Sequence, residues 1–141
     1  ITYKEVRYSF ELMLEDRKIQ IWSYNVETII AEKFEAIVKR GVLSTRIRDY
    51  YDVYMLINTQ YKNINSIILR QAIRETAMHR ETLNIVNDCE NIIKEMQHDD
   101  GLQQMWEKYR KQNFYAEDIQ FNDLILALFK VAEIYKEKNI E

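Results

Sequence analysis

Residues 24–56, YNVETIIAEKFEAIVKRGVLSTRIRDYYDVYML, decide how this chain is read, because a lysine and two aspartates stand where a helical pattern calls for apolar side chains. Val26, Ile29, Ile30, Lys33, Phe34 and Ile37 follow the i, i+3, i+4, i+7 spacing that lines one helix face. Lys33 interrupts that apolar stripe. Lys39 and Arg40 then precede Gly41, the arrangement in which helices stop: cations in the last turn, then a residue free to enter the left-handed region. Ser44 or Thr45 is placed to cap a second helix. On that helix Asp49, Asp52, Val53 and Leu56 share a face, since residues three and four apart are neighbours. Both acids are therefore expected to point inward.

An ion that faces a core costs several kcal/mol unless it is paired or hydrogen-bonded. Pairing Lys33 with Asp49 or Asp52 meets that requirement. From the residues alone two readings stand side by side: an ion pair that fixes how the two helices pack, and a charged site held ready for chemistry.

The phrase Asn25–Lys33 (NVETIIAEK), followed by Ser44–Tyr54 (STRIRDYYDVY), resembles the third and fourth motifs of the AbiEii/AbiGii toxin family. These are nucleotidyltransferase-fold proteins of bacterial abortive-infection (phage-defence) and type IV toxin–antitoxin systems. The resemblance is close over about a quarter of the chain, and Trp106–Gln112 (WEKYRKQ) is compatible with the family's helical C-terminal part. It implies that Lys33 is the motif lysine and Asp49 the motif aspartate, both catalytic. Arg46 and Arg48 fall on the basic positions and are implied to meet the nucleotide or its phosphates. Arg48 stands where lysine is commoner, which keeps the charge and alters its hydrogen-bonding shape. Glu32 and Asp52 match in supporting roles. The implied function is that of the C-terminal portion of a toxin that transfers nucleotides from an NTP to an acceptor such as tRNA, with the antitoxin of the same operon as partner. Alanine at Lys33 or Asp49 is then expected to silence activity and leave the fold largely intact.

Members of this superfamily open with a Gly-Ser turn and an Asp-x-Asp pair, whose acids hold the divalent metal on the nucleotide phosphates. This chain has neither: its glycines are Gly41 and Gly101, neither precedes a serine, and the adjacent Asp99 and Asp100 read as a loop. No metal ligand set is read here, so Mg2+ and NTP are expected only for the full-length protein. The chain reads as a C-terminal fragment or a truncated homologue, inactive alone. The alternative is a non-catalytic helical binding or regulatory module that keeps the ion pair as structure.

The fold expected is mainly α with a small β element. Val6, Tyr8, Phe10, Leu12 and Leu14 alternate with Arg7, Ser9, Glu11 and Met13, and Lys18–Trp22 follows after a turn at Glu15 and Asp16. Residues 1–24 are thus expected to form a β-hairpin at the edge of a nucleotidyltransferase sheet, and residues 25–141 a helical domain. With no proline and only two glycines, long helices are favoured. Stripes at Leu69–Ala77, Ile85–Met96, Leu102–Tyr109 and Phe121–Ala132 bring the bundle to about six helices.

Composition narrows the function further. Cys89 is the only cysteine, which excludes an internal disulfide, and its apolar neighbours predict a buried thiol. His79 and His98 have no metal-ligand spacing. A net charge of −3 argues against a general nucleic-acid coat, although Lys33, Lys39, Arg40, Arg46 and Arg48 cluster around the two motifs. Trp106 lies within its stripe and is assigned to the core instead of to base stacking. No signal segment or membrane-length apolar run is present, so a cytoplasmic protein without membrane contact is expected.

Overall fold

Apolar side chains recur every three to four residues from Val26 onward, and nothing in that stretch forbids a helix, so the chain builds almost wholly from helices. The computed structural model describes residues 26–137. Seven α-helices follow in order: α1 (Val26–Arg40), α2 (Ile47–Thr59), α3 (Ser66–His79), α4 (Leu83–Asn87), α5 (Cys89–Gln97), α6 (Asp100–Gln112) and α7 (Phe121–Lys136). Short 3-10 turns at Gly41–Leu43, Tyr61–Asn63 and Phe114–Ala116 join them.

The mixed α-with-β class is thereby corrected. Helical residues make up 84% of the described chain and no strand occurs among the described residues. The hairpin expected over residues 1–24, and with it the proposed domain boundary, lies outside the described residues. The helix count also rises from six to seven, because the Ile85–Met96 stripe breaks at Asn87–Asp88. Both residues are weak helix formers. The break is held from across the molecule: the Tyr135 hydroxyl donates to the Asn87 side chain and the Lys136 ammonium to the Asn87 carbonyl.

Two expected starts shift by a residue or two. Arg46, and not Ser44 or Thr45, sits at the start of α2, while Ser44 Oγ accepts a long 3.4 Å bond from the Arg46 N–H. Asp99 and Asp100 are not a loop: Asp99 caps α6 through the Leu102 N–H at 2.9 Å, and Asp100 is its first residue.

Helices α1, α2, α7 and α3 succeed one another around the core, with α5 against α7 and α6 flanking α2. Glu27 near the start of α1 accepts from the Asn65 N–H just before α3, at 2.7 Å, and Glu35 near its end meets Arg80 and Thr82 just after α3. Helices α1 and α3 therefore run in the same sense. Helix α2 runs back along the other side of α1, between α1 and α7. The end of α3 is closed by Glu81 at φ 59, with the Thr82 N–H bonding the Ala77 carbonyl at 2.8 Å, a left-handed C-cap made without glycine.

The core is filled by Trp106, Tyr50, Phe34, Ile30, Ile73 and their neighbours, all essentially inaccessible. Trp106 donates its indole N–H to the Ile119 carbonyl at 2.9 Å, so its polar atom is satisfied. Cys89 is buried, and burial pushes its thiol up to about 11, which keeps it an unreactive core residue. Truncating Trp106→Ala is expected to lower unfolding free energy by roughly 3–5 kcal/mol in a urea titration.

Tyr50 is the exception in this core. Its hydroxyl is buried and completes no hydrogen bond; Ser44 lies near enough to favour the phenolate but not in bonding geometry. Burial pushes the Tyr50 pKa up from 10.0 to about 12. The folded state therefore keeps a proton that the unfolded chain loses, so stability is retained below pH 10 and falls between pH 10 and about 12. Tyr50→Phe removes an unpaired hydroxyl, and is expected to melt no lower than wild type at pH 7 and to lose stability less steeply from pH 10 to 12. A lower melting temperature at pH 7 would show that the hydroxyl is bonded after all.

Candidate functional site

The site begins with the tight joint between α1 and α2. Gly41 takes φ +53, where side chains other than glycine are strained, and a Cβ there would lie 3.4 Å from Ile92 Cγ2 of α5. Helix α1 therefore stops on time and α2 returns along it. That return places Lys33, two turns before the end of α1, opposite the first turns of α2.

Lys33 Nζ donates to Asp49 Oδ1 at 3.2 Å and to Asp52 Oδ2 at 2.9 Å. The second oxygen of Asp49 faces Arg46 Nε at 3.5 Å. One carboxylate thus serves two cations, and the other serves Lys33. The two acid side chains are 9% and 8% exposed, Lys33 21% and Arg46 62%, so the acids lie at the base, the lysine partly opens to water and the arginine stands on the rim. Arg48 is exposed as well. Together with Thr45 these side chains line an open groove of ≈ 450 Å³. Three cations face two carboxylates there, leaving one excess positive charge. An ammonium has three N–H donors, and the acids engage Lys33 with two bonds.

The arrangement brings together Lys33, Asp49, Asp52 and Arg46, with Arg48 on the same rim. It does not include Glu32, which is exposed and whose backbone carbonyl instead receives Arg80 Nη1 at 3.4 Å. One residue along a helix is a rotation of about 100°, enough to turn Glu32 away from the groove.

Sequence reading passed over three contributors. Glu27 and Glu35 are buried on the far side of α1 from Lys33, Glu35 bound by Arg80 at 2.7 Å and by the Thr82 hydroxyl at 2.8 Å. The signal was available: Glu27, Ala31 and Glu35 repeat every fourth residue beside an apolar stripe. The third is Tyr109 of α6. Its phenol is stacked on Trp106 with ring centroids 5.3 Å apart and shares a 2.7 Å hydrogen bond with the Tyr115 hydroxyl. Burial and that bond hold its proton well above the usual tyrosine range, and the charges of Arg48 and Asp52 reach it. Its ring also lies 6.4 Å from that of Tyr51 on α2.

The residues at this site do not fit a divalent cation. Both carboxylates are committed to Lys33, and no group of three His, Cys, Asp or Glu side chains gathers among the described residues. No helix among them is long and apolar enough to cross a membrane.

Burial changes what removal of Lys33 should do. Without its cation, two largely buried carboxylates face each other, a situation that costs about 3–5 kcal/mol, while replacing all the partners by apolar groups is often near neutral. Lys33→Met is therefore expected to destabilise by about 3–5 kcal/mol in urea titrations, and the triple change Lys33→Met, Asp49→Leu, Asp52→Leu to recover most of that loss. The expectation that alanine at Lys33 leaves the fold largely intact is revised accordingly.

No curated protein and no solved structure matches the chain. A family model does, over residues 1–127, and spans both the α1–α2 groove and most of the bundle around it. The chain belongs to the family of AbiEii nucleotidyl transferase toxins of type IV toxin–antitoxin systems.

Proposed function

We propose that the α1–α2 groove is the phosphate-handling half of a nucleotidyl transfer site, acting in a longer protein that moves a nucleotide from an NTP to an acceptor such as tRNA. The observation that carries this reading is a partly open ammonium, Lys33, held by two buried acids beneath an exposed arginine rim. In the reaction an acceptor hydroxyl attacks the α-phosphorus, the new P–O bond replaces the bond to pyrophosphate, and the hydroxyl proton passes to a base. Positioning and charge neutralisation supply most of such catalysis. Asp52 and Asp49 orient Lys33 so that its third N–H meets a phosphate oxygen. Arg46 and Arg48, whose planar forks suit phosphate oxygens, neutralise the charge that builds on the leaving group. Asp49, shared between Lys33 and Arg46, couples the two and is the carboxylate nearest the rim for accepting a proton.

The 141 residues contain no Asp-x-Asp pair, and the groove does not suit a cation. Any Mg2+ accompanying the NTP belongs to acids outside this sequence, and no step above depends on it. The isolated chain is accordingly expected to give no transfer when incubated with labelled NTPs, magnesium and bulk tRNA.

The non-catalytic reading keeps one observation in its favour: each acid gives one oxygen to Lys33, as in a purely structural ion pair. The arginines separate the two readings, since Arg46 is mostly in water and exposed ion pairs contribute little to stability. In the longer protein, the Arg46→Ala, Arg48→Ala double variant is expected to lose labelled-nucleotide transfer and growth inhibition while its melting temperature stays near wild type. Undiminished transfer with a normal melt would remove the groove from the chemistry and favour the structural module.

A further inference from the structure

Beyond Arg48, helix α2 packs against aromatic side chains of α6 and of the turn that follows it. Arg48 and Tyr51 stand one turn apart on the same side of α2. The Tyr51 ring lies 5.0 Å from that of Tyr115 and 6.4 Å from that of Tyr109. Tyr115 belongs to the 3-10 turn Phe114–Ala116. Its neighbour Phe114 is 43% exposed and, with Arg110, Lys111 and Glu117, lines an open cavity of ≈ 390 Å³. The Tyr51–Tyr115 contact therefore joins the rim of the α1–α2 groove to a second place where cations and an aromatic ring meet.

Cations in the last turn of a helix are ordinary. These two flank a ring on a turn that is locked in place. Asn113 Nδ2 donates to the Tyr109 carbonyl at 2.8 Å, the Tyr115 hydroxyl to Asn113 Oδ1 at 3.2 Å, and Arg110 Nη1 to the Glu117 carbonyl at 3.0 Å. Arg110 also pairs with Glu107 at 3.0 Å, so it serves the turn, whereas Lys111 is exposed. Phe114 is thus presented on a fixed backbone and loses little freedom when it is covered.

An exposed ring beside a lysine offers a base a face to stack on and its phosphate a cation, the combination that holds single strands without regard to sequence. A duplex keeps its base faces stacked within it, and a chain of net charge −3 lacks the cations to coat one. We infer that the Phe114–Lys111 pocket holds the unpaired end of an RNA acceptor upstream of the nucleotide that enters the groove, with a base on Phe114 and its phosphate on Lys111. That the RNA is an acceptor rests on the transfer reading above; that the pocket binds a single strand does not.

Fluorescence anisotropy of the full chain with an end-labelled single-stranded oligoribonucleotide, and with a blunt RNA duplex of the same length, tests this, with thermal melts to establish that each variant folds. Wild type is expected to bind the single strand more tightly than the duplex. Phe114→Leu, which keeps apolar bulk and removes the ring, and Lys111→Glu are each expected to weaken single-strand binding about tenfold. Lys111→Glu also makes binding less dependent on salt, and Phe114→Trp, which keeps a stacking face, retains it. Lys94→Glu, the same charge change at an exposed position of α5, is expected to bind as wild type does. The inference is overturned if wild type binds the duplex as tightly as the single strand or binds neither, or if Phe114→Leu or Lys111→Glu binds with unchanged affinity. It is equally overturned if Lys94→Glu weakens binding as much as Lys111→Glu, which assigns the effect to net charge. These titrations involve no transfer. Strand binding as expected, beside undiminished transfer by the Arg46→Ala, Arg48→Ala variant, keeps the pocket and removes the groove; loss of transfer in that variant with no strand binding keeps the groove and removes the pocket.

Discussion

The bonds from Lys33 to Asp49 and Asp52 set the constraint that the rest of the groove obeys. Two carboxylates less than a tenth exposed are tolerable on the inner side of α2 only because one ammonium lies 2.9 and 3.2 Å away on α1. The requirement runs both ways: the lysine needs the acids to face inward, and the acids need the lysine. Helix pairing and site geometry are consequently one problem. Gly41 solves it by letting the chain reverse within a few residues, and the same reversal sets Arg46 and Arg48 on the rim and Leu43 at the apex.

Helix α1 bears buried charge on both margins of its apolar face. Lys33 ties it to α2, whereas Glu27 and Glu35 tie it to the two ends of α3 through Asn65, Arg80 and Thr82. Charged hydrogen bonds of this kind are directional where apolar contacts are not, so they specify the position of α1 between its neighbours more sharply than Ile30 and Phe34 can. A helix located that firmly suits a groove whose chemistry depends on the placement of a single ammonium. The left-handed Glu81 belongs to the same arrangement, because the cap it forms turns Thr82 toward Glu35.

Much of this was legible beforehand, for reasons particular to each residue. Lys33, Asp49 and Asp52 stood out because each breaks an apolar stripe, and a charge in a stripe must find a partner. Trp106 and Cys89 were assigned to the core from their neighbours and are buried there. Glu35 escaped notice because it sits at the margin of its stripe, where a solvated glutamate is ordinary. The split at Asn87–Asp88 escaped because the apolar period continues across it, while the bonds from Tyr135 and Lys136 to Asn87 come from nearly fifty residues on. Tyr109 likewise meets Tyr51 through packing of α6 on α2, which no local pattern records.

Sequence alone determined the helical character of residues 26–137, the stop at Gly41, the inward charges and the family to which the chain belongs, because periodicity, glycine conformation and motif order are all properties of short spans. Tertiary structure decided which oxygen of Asp49 serves Lys33 and which faces Arg46, which arginines stand in water, and that Tyr50 is left without a partner. Those outcomes depend on distances between helices, and a helical pattern specifies the direction of a side chain about its own axis while leaving open what stands opposite it.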